Sequence, residues 1–184
     1  MLTCYNLHMD TKPYALHENF IRMSLDDVLR STALERRTGA RMEAFYSERP
    51  FDYTYGRGAG VRTYRSLPFP EGYVYPHYRA RVFGNLDLCF VNYYEDERQH
   101  LGWHSDDSPE QDDSAPIVVF SFGAEREIWV REKGSDQRDR IVLPHGSAFV
   151  MKPGMQQTHE HRIPKCDRPC GSRLSMTWRK SAER

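Results

Sequence analysis

Residues 117–130 read IVVFSFGAEREIWV, and this stretch contains two β-favouring segments, 117–122 and 127–130, separated by a turn at Gly123. Val, Ile, Phe and Trp fit the pleated surface of a sheet, whereas Gly marks a turn. The same pattern continues in both directions along the chain. Further β-favouring segments are 86–94, 141–143, 148–151 and 174–178, and turn residues stand at 112–113, 134–135, 144–146, 153–154 and 169–171. Many short strands punctuated in this way indicate a β-sandwich or barrel.

The amino-terminal part of the chain has weaker β patterning. Residues 1–40 predict an entry segment with one helix, which Ser24 would cap and Gly39 would end. Its first turn would hold Asp26 and Asp27, and its apolar stripe would be Leu25, Val28, Leu29 and Leu34. Residues 41–70 predict short strands and loops, and 76–83 a second helix with Pro76 in its first turn and Gly84 closing it. We therefore expect an α+β, mainly β fold with helices on one outer face.

Length and composition favour one globular domain over 1–184, since 184 residues can bury a core and 28% of them are charged. The formal net charge is zero, so overall charge does not point to nucleic acid. No segment approaches the ~18 apolar residues of a membrane span, and residues 1–10 do not resemble a signal peptide. The four cysteines (4, 89, 166 and 170) are too few and too scattered to stabilise a domain of this size through disulfide bonds. We expect a cytoplasmic protein, or a nuclear one in a eukaryote, and no feature indicates an obligate protein partner.

A possible metal site begins at His104-Ser105-Asp106. Alternate residues of a strand point to one face, so an imidazole and a carboxylate would project together. A third ligand is available in 156–164, which contains His159 and His161. A site of two histidines and one carboxylate leaves positions open on iron, which suits an oxidase that binds a co-substrate and O₂ together.

Zinc is the alternative metal at this point. His159 and His161, with Cys166 and Cys170, could supply the four ligands that structural zinc prefers. However, the Cys-x₃-Cys spacing is looser than the common zinc pair, and Pro169 restricts Cys170.

Arg173 and Arg179 flank the apolar segment 174–178, and their even spacing of six would place both on one face of a strand. A guanidinium fork matches the geometry of a carboxylate. The two arginines are therefore candidates for holding a dicarboxylate, although surface arginines would give the same pattern.

Six motifs together resemble the AlkB family of iron(II)- and 2-oxoglutarate-dependent dioxygenases. In order they are Asn92-Tyr93-Tyr94, LGWHSDD at 101–107, IVVFSFGAER at 117–126, His145-Gly146-Ser147, His161-Arg162-Ile163-Pro164 and RLSMTWR at 173–179. The resemblance covers about residues 41–180. The chain departs from the family pattern at Trp178, where Phe is usual, and at Ser108, where nucleic-acid-acting members often carry an acid.

The resemblance implies a double-stranded β-helix, or jelly roll, with its core over 86–180. It makes His104, Asp106 and His161 the iron ligands and favours His161 over His159. Arg173 would bind the C5 carboxylate of 2-oxoglutarate. Asn92, Tyr94 and Arg179 would complete the co-substrate pocket.

In this family the amino-terminal part forms a lid that reads a flipped nucleotide, here expected at 41–81. Residues 56–81 carry five arginines against one acid, whereas 95–113 carry eight acids against one base. Aromatic faces can stack on an extruded base, and arginines can hold phosphates. The candidate substrate residues are Tyr46, Tyr53, Tyr55, Arg57, Arg62, Arg65 and Asp107.

The function implied by the resemblance is oxidative demethylation of N-alkylated bases in DNA or RNA. The reaction would use Fe(II), 2-oxoglutarate and O₂, and would release formaldehyde, succinate and CO₂. The alternative keeps the chemistry but takes a protein side chain or a small molecule as substrate. A non-catalytic binding module that kept the fold is a third interpretation, which the complete set of motif residues disfavours.

Overall fold

The computed structural model describes residues 11–36, 40–55 and 61–182, with only the backbone of Tyr55. In this part of the chain, the strands are β1 Tyr14–His17, β2 Met42–Ser47, β3 Asp52–Tyr55, β4 Arg62–Arg65, β5 Leu67–Pro68, β6 Leu88–Tyr94, β7 Leu101–His104, β8 Ile117–Gly123, β9 Arg126–Glu132, β10 Asp139–Leu143, β11 Ala148–Met151, β12 His159–Ile163 and β13 Arg173–Arg179. A seven-stranded sheet has the order β1-β11-β8-β13-β6-β2-β5, and a four-stranded sheet has the order β10-β9-β12-β7. The two sheets enclose an apolar core, so the predicted jelly roll is confirmed.

Strand β13 lies at the centre of the large sheet and pairs antiparallel with β6 and β8. Its residues alternate between the two faces, as the period of a strand requires. Leu174, Met176 and Trp178 face the helical side and are fully buried there, each stabilising the fold by roughly 1.5–3 kcal/mol. Arg173 and Arg179 belong to the opposite set, which faces the small sheet. The predicted common face of the two arginines is therefore present.

Helices cover the outer face of the large sheet. They are α1 Leu25–Arg30 and α2 Val74–Ala80, with 3₁₀ turns at Glu71–Tyr73 and Arg81–Phe83. The core on this side joins Val28 of α1, Tyr73 and Ala80 to the outward residues of β8 and β13. A third, short helix, α3 Met155–Thr158, directly precedes β12, and its Met155 packs in the core between the two sheets. No helix in the described ranges is long and apolar enough to cross a membrane.

The first predicted helix was too long. Ser24 caps α1 by accepting a hydrogen bond from the Asp27 N–H, as expected, but the helix ends at Arg30 instead of Gly39, which lies outside the described residues. The hydroxyl of Thr32 donates to the Val28 carbonyl at 2.7 Å and also contacts the Tyr73 hydroxyl. Such local side-chain bonds compete with further helical turns.

The second predicted helix begins two residues earlier than expected, at Val74, and its α-helical part ends at Ala80. Pro76 remains in the first turn, where its missing N–H breaks no intrahelical hydrogen bond. Gly84, with φ of 145°, follows the final 3₁₀ turn and closes this segment.

The region expected to form a lid, 41–81, is not one unit. Strand β2 pairs with β6 in the large sheet and is almost entirely buried. Strands β3 and β4 form a separate two-stranded sheet, which packs Tyr53 and Tyr64 on Phe90. The large sheet thus extends beyond 86–180 through β1 and β2. In the described part of 41–81, the β3–β4 hairpin is the element that belongs neither to the large sheet nor to the helices on its outer face.

Candidate active site

Three potential metal ligands converge between the sheets. His104 ends β7, Asp106 follows two residues later, and His161 stands in β12 directly opposite His104 in the antiparallel register. One ligand atom from each residue lies within 4.8 Å of the other two. Of the described residues, these three form the one group of His, Cys, Asp or Glu side chains with this geometry.

Both imidazoles turn Nε2 toward the carboxylate. Nδ1 of His104 lies 2.8 Å from the Gly102 carbonyl, so this nitrogen carries the proton and Nε2 keeps its lone pair. His104 Nε2 is 3.8 Å from Asp106 Oδ1, and His161 Nε2 is 3.8 Å from Asp106 Oδ2. These distances leave the three groups beside one another without direct hydrogen bonds.

The protonation states suit metal binding. Burial lowers the pKa of His104, and burial together with His104 lowers the pKa of His161 to about 3, so both rings are neutral near pH 7. Burial alone would raise the pKa of Asp106, but Arg179 and the two histidines outweigh it and bring the value to about 2. Neutral imidazoles and an ionised carboxylate are the ligand forms a metal requires.

Asp106 is held through its backbone by two buried glutamines. Its N–H donates to Gln156 Oε1 at 2.9 Å, and its carbonyl accepts from the Gln111 amide. Arg179 Nη2 lies 2.8 Å from Oδ2. Nevertheless Asp106 Oδ1 and His161 Nδ1 are buried without a hydrogen-bond partner among the described residues. A buried carboxylate oxygen without a donor is costly, and a cation beside it would remove that cost, so these residues fit a metal ion.

A pocket extends from this cluster toward the large sheet. All seven residues expected at the metal and co-substrate sites line it: Asn92, Tyr94, His104, Asp106, His161, Arg173 and Arg179. Asn92 and Tyr94 come from β6, which is paired with β13 so that Arg173 stands opposite Tyr94. The sequence motifs are thus brought together in one place by the register of neighbouring strands.

Arg173 is fully buried, and burial lowers its pKa to about 10. Its Nη2 donates to Ser121 Oγ at 2.9 Å, and its guanidinium lies 5.5 Å from the centre of the Tyr94 ring. The other donors Nε and Nη1 have no hydrogen-bond partner among the described residues. A cation that stays charged and keeps free donors in an enclosed pocket fits a carboxylate ligand.

A third arginine in the pocket, beside Arg173 and Arg179, was not anticipated from the sequence. Arg41 lines it, and its Nε donates to Asn92 Oδ1 at 2.6 Å. Its Nη2 pairs with Glu43 at 2.6 Å, and Glu43 also accepts from the Tyr64 hydroxyl at 2.7 Å. The alternation of Arg41, Glu43 and Phe45 in the sequence could have indicated this ion pair, because alternate residues of a strand lie on the same face.

The alternative metal ligands lie elsewhere. His159 is two residues before His161, but it borders a different surface hollow with Tyr14 and Val130, and its Nδ1 contacts Thr158 Oγ1 at 2.8 Å. The sulfurs of Cys166 and Cys170 lie 2.9 Å apart, yet neither joins a metal-ligand group of described residues. The four-ligand zinc site considered from the sequence is therefore not assembled.

The expected substrate residues are only partly at the site. Tyr46 is buried in the core behind the large sheet, where its hydroxyl accepts from the Ala33 N–H at 2.7 Å, so its expected stacking on a base is wrong. Tyr53 is 1% exposed and packs on Phe45 and Phe90, which leaves no open ring face for a base. Both rings point into the core because an apolar strand face buries aromatic side chains.

Asp107 and Tyr53 line a wide groove, here called the entrance groove, which shares Leu101 and His104 with the pocket. Its other residues include Trp103, Ser108, Glu110, Lys133 and Glu160. Arg62 and Arg65 are exposed on β4. Arg57 and the side chain of Tyr55 lie outside the described residues.

Comparison with known proteins agrees with this geometry. The model of the 2OG-Fe(II) oxygenase superfamily matches residues 47–179. The solved structure of OsALKBH1 superimposes with a TM-score of 0.62 over 91% of this chain and 96% of that one, at 16% identity, and so shares the fold. The class of this chain is therefore the 2-oxoglutarate- and Fe(II)-dependent oxygenases, which use Fe(II), 2-oxoglutarate and O₂.

Sequence relatives narrow the class. Mouse alpha-ketoglutarate-dependent dioxygenase alkB homolog 3 is 31% identical over 152 residues, covering 76% of this chain and 51% of the mouse protein. Mouse DNA oxidative demethylase ALKBH2 is 32% identical over 142 residues, covering 69% and 59%. The RNA replication protein of Grapevine virus A is 28% identical over 140 residues, covering 76% of this chain and 8% of the viral protein. The chain belongs to the AlkB family, and it spans about half the length of its mammalian relatives.

Proposed function

We propose that this chain is an oxidative demethylase of nucleic-acid bases methylated on nitrogen. The observation that carries the proposal is one pocket in which the His104–Asp106–His161 cluster and the buried cation of Arg173 face the same space. The first three residues would hold Fe(II), and Arg173 would hold the far carboxylate of 2-oxoglutarate. When bound, the iron supplies the activation of O₂ that the side chains themselves lack.

The protein itself would position the reactants and keep water away from them. The pocket walls include Phe90, Val119 and Ile128, which exclude water from the space beside the cluster. Asn92 and Tyr94 present an amide and a phenol on the same side as Arg173, so they would orient the co-substrate. If its far carboxylate is held at Arg173, the opposite end of 2-oxoglutarate would lie toward His104 and Asp106.

The proposed reaction is a hydroxylation of the methyl group followed by elimination of formaldehyde. One oxygen atom of O₂ enters the N–CH₃ group to give N–CH₂OH, and the other enters 2-oxoglutarate, which leaves as succinate and CO₂. The carbon–nitrogen bond of N–CH₂OH then breaks, its electron pair returns to the ring nitrogen as a lone pair, the hydroxyl proton is lost to water, and formaldehyde is released.

The entrance groove supports a base as substrate. Methylation of a base on a ring nitrogen that normally carries a lone pair gives that base a positive charge. Asp107 and Glu110 line the groove, and carboxylates stabilise a nearby cation. The two mouse relatives named above, a dioxygenase and a DNA oxidative demethylase, add to this interpretation.

The same carboxylates also fit a cationic protein side chain, which is the second candidate substrate. The test is formaldehyde release, measured with Fe(II), 2-oxoglutarate and three substrates: a base-methylated oligonucleotide, its unmethylated counterpart and a methyl-lysine peptide. We expect formaldehyde from the methylated oligonucleotide alone, with at least one succinate formed for each formaldehyde. Turnover of the peptide with no turnover of the oligonucleotide would replace the proposal by the second candidate.

A further inference from the structure

The outer face of the four-stranded sheet carries an array of stacked tryptophans and arginines that the proposed site does not use. Residues of β9, β10 and β12 alternate, so that one set faces the core and the other faces outward. The outward set includes two glutamates, Glu127 and Glu160. Its aromatic and basic members with their neighbours are Trp103, Trp129, Arg131, Arg138, Arg140 and Arg162, here called the tryptophan–arginine face.

Each arginine of this face lies on a ring. Arg131 is 4.1 Å from the centre of the Trp103 ring, and Arg138 is 4.6 Å from that of Trp129. Arg162 stands between the two tryptophans, 5.6 Å from Trp103 and 5.2 Å from Trp129. Arg140 lies 5.1 Å from Trp129. The rings therefore fix four guanidinium groups in a continuous row across the sheet.

Stacking occupies the flat side of a guanidinium and leaves the N–H donors at its edge free for other partners. Two of the four charges are balanced, since Arg131 pairs with Glu160 at 2.7 Å and Arg140 with Glu127 at 3.0 Å. Arg138 and Arg162 have no acidic partner among the described residues, and the Nε of Arg162 is buried without an acceptor. The face thus has two uncompensated, pre-positioned cations.

The row begins at the entrance of the proposed active site. Trp103 is the residue before His104, and both line the entrance groove together with Glu160. From β7 to β10 the row crosses three gaps between strands, about 14 Å in all at about 4.8 Å each. A chain that enters the groove with one residue can therefore continue along the row with the residues that follow.

We propose that the tryptophan–arginine face binds the phosphate backbone of a single nucleic-acid strand next to the nucleotide held in the entrance groove. The inference rests on the proposed function, and it adds a second binding site for the same substrate. Guanidinium groups bind phosphate through paired N–H donors, and the two uncompensated ones, Arg138 and Arg162, can each take a phosphate of a strand that carries one charge at each repeat. The target base is then recognised in the entrance groove, whereas affinity for long strands comes from the face.

The test compares how arginine variants bind long and short nucleic-acid substrates. The variants are Arg138→Gln, which alters an exposed side chain, and Arg138→Gln with Arg162→Gln. The matched control is Arg22→Gln with Arg81→Gln, which removes the same charge from exposed residues on the helical side. Binding and formaldehyde release are measured with a methylated 15-nucleotide strand and with a methylated trinucleotide, across a series of salt concentrations.

We expect the double variant to bind the 15-nucleotide strand about tenfold more weakly at low salt, with a salt slope shallower by about 1.4. The KM for the trinucleotide should stay within about twofold of wild type, because the entrance groove and the pocket are intact. The single variant should show about half of the change in slope.

Equal affinity and slope for the double variant and the matched control would overturn the inference while leaving the proposed function in place. An equal loss on the trinucleotide would also overturn it, because the effect would then arise where the target nucleotide itself binds. If the wild type releases no formaldehyde from any methylated strand, the proposed function fails, and the inference fails with it.

Discussion

Arg179, the last residue of β13, places Nη2 2.8 Å from Oδ2 of Asp106, and both side chains are almost completely buried. Arg179 thus lines the co-substrate pocket together with Arg173, and it also forms an ion pair with one of the candidate metal ligands. Because Arg179 is the strongest influence that lowers the pKa of Asp106 against burial, the carboxylate depends on it whenever no metal is bound.

Arg179→Ala should therefore destabilise the metal-free protein by about 3–5 kcal/mol, the usual result of leaving one charge of a buried pair without its partner. A divalent metal bound at Asp106 would replace the missing cation, so the destabilisation should shrink when metal is added. Urea unfolding with and without Co(II) measures both values. Arg179→Lys, which keeps the charge, should be less destabilised. An identical effect with and without metal would contradict the assignment of Asp106 as a ligand.

His104, Asp106 and His161 should each be required for activity. Replacing any one of them by Ala leaves two ligands, so Fe(II) binding should fall and succinate formation should stop. His159→Ala is the matched control, since it removes an imidazole from the same strand outside the cluster. It should keep most of the activity. An inactive His159→Ala together with an active His161→Ala would show that the wrong histidine was chosen.

Arg173 should control co-substrate affinity without affecting metal binding. Truncating one side of a buried, hydrogen-bonded charge pair costs about 2–5 kcal/mol, so Arg173→Gln should weaken 2-oxoglutarate binding by about 30-fold or more. Calorimetric titration of 2-oxoglutarate into the Co(II)-loaded protein measures this affinity, and the affinity for Co(II) is the internal control. Unchanged 2-oxoglutarate affinity would show that its carboxylate binds elsewhere.

The sequence predicted the site better than its surroundings. His104, Asp106 and Arg173 were identifiable because strand period and motif order restrict where they can point. Tyr46 was misplaced because nothing local distinguishes a tyrosine that stacks on a ligand from one that packs in a core; the pairing of β2 with β6 decides it. The buried ion pair of Arg41 was missed because its partners Asn92 and Tyr64 are distant along the chain.

Glu43 should be essential to stability because it compensates Arg41 inside the fold. Glu43 is 1% exposed, and it joins Arg41 to the Tyr64 hydroxyl of the β3–β4 hairpin. Glu43→Leu leaves the buried arginine unpaired and should cost about 3–5 kcal/mol in the free energy of unfolding. Adding Arg41→Met to that variant should restore part of this stability, because neither charge remains. A double variant destabilised by the sum of the two single effects would show that the charges do not interact.

The hairpin arginines should contribute to nucleic-acid affinity separately from the chemistry. Arg62 and Arg65 are exposed on β4. Arg65 pairs with Asp52 at 3.5 Å, and both of these side chains lie largely in solvent. Such an exposed pair is weak, so it does not prevent Arg65 from binding a phosphate.

Replacing Arg62 and Arg65 by Gln should weaken binding of a methylated oligonucleotide and make its salt slope shallower by about 0.7 for each phosphate that the variant no longer neutralises. Adding Arg57→Gln tests the third arginine predicted from the sequence. The slow consumption of 2-oxoglutarate without nucleic acid should continue at the wild-type rate, because the metal cluster is untouched. Tyr46→Phe is the informative control: it deprives the Ala33 N–H of its acceptor and should cost about 1–3 kcal/mol of stability without changing oligonucleotide affinity. Unchanged binding by the arginine variants at every salt concentration would exclude the hairpin from the nucleic-acid surface.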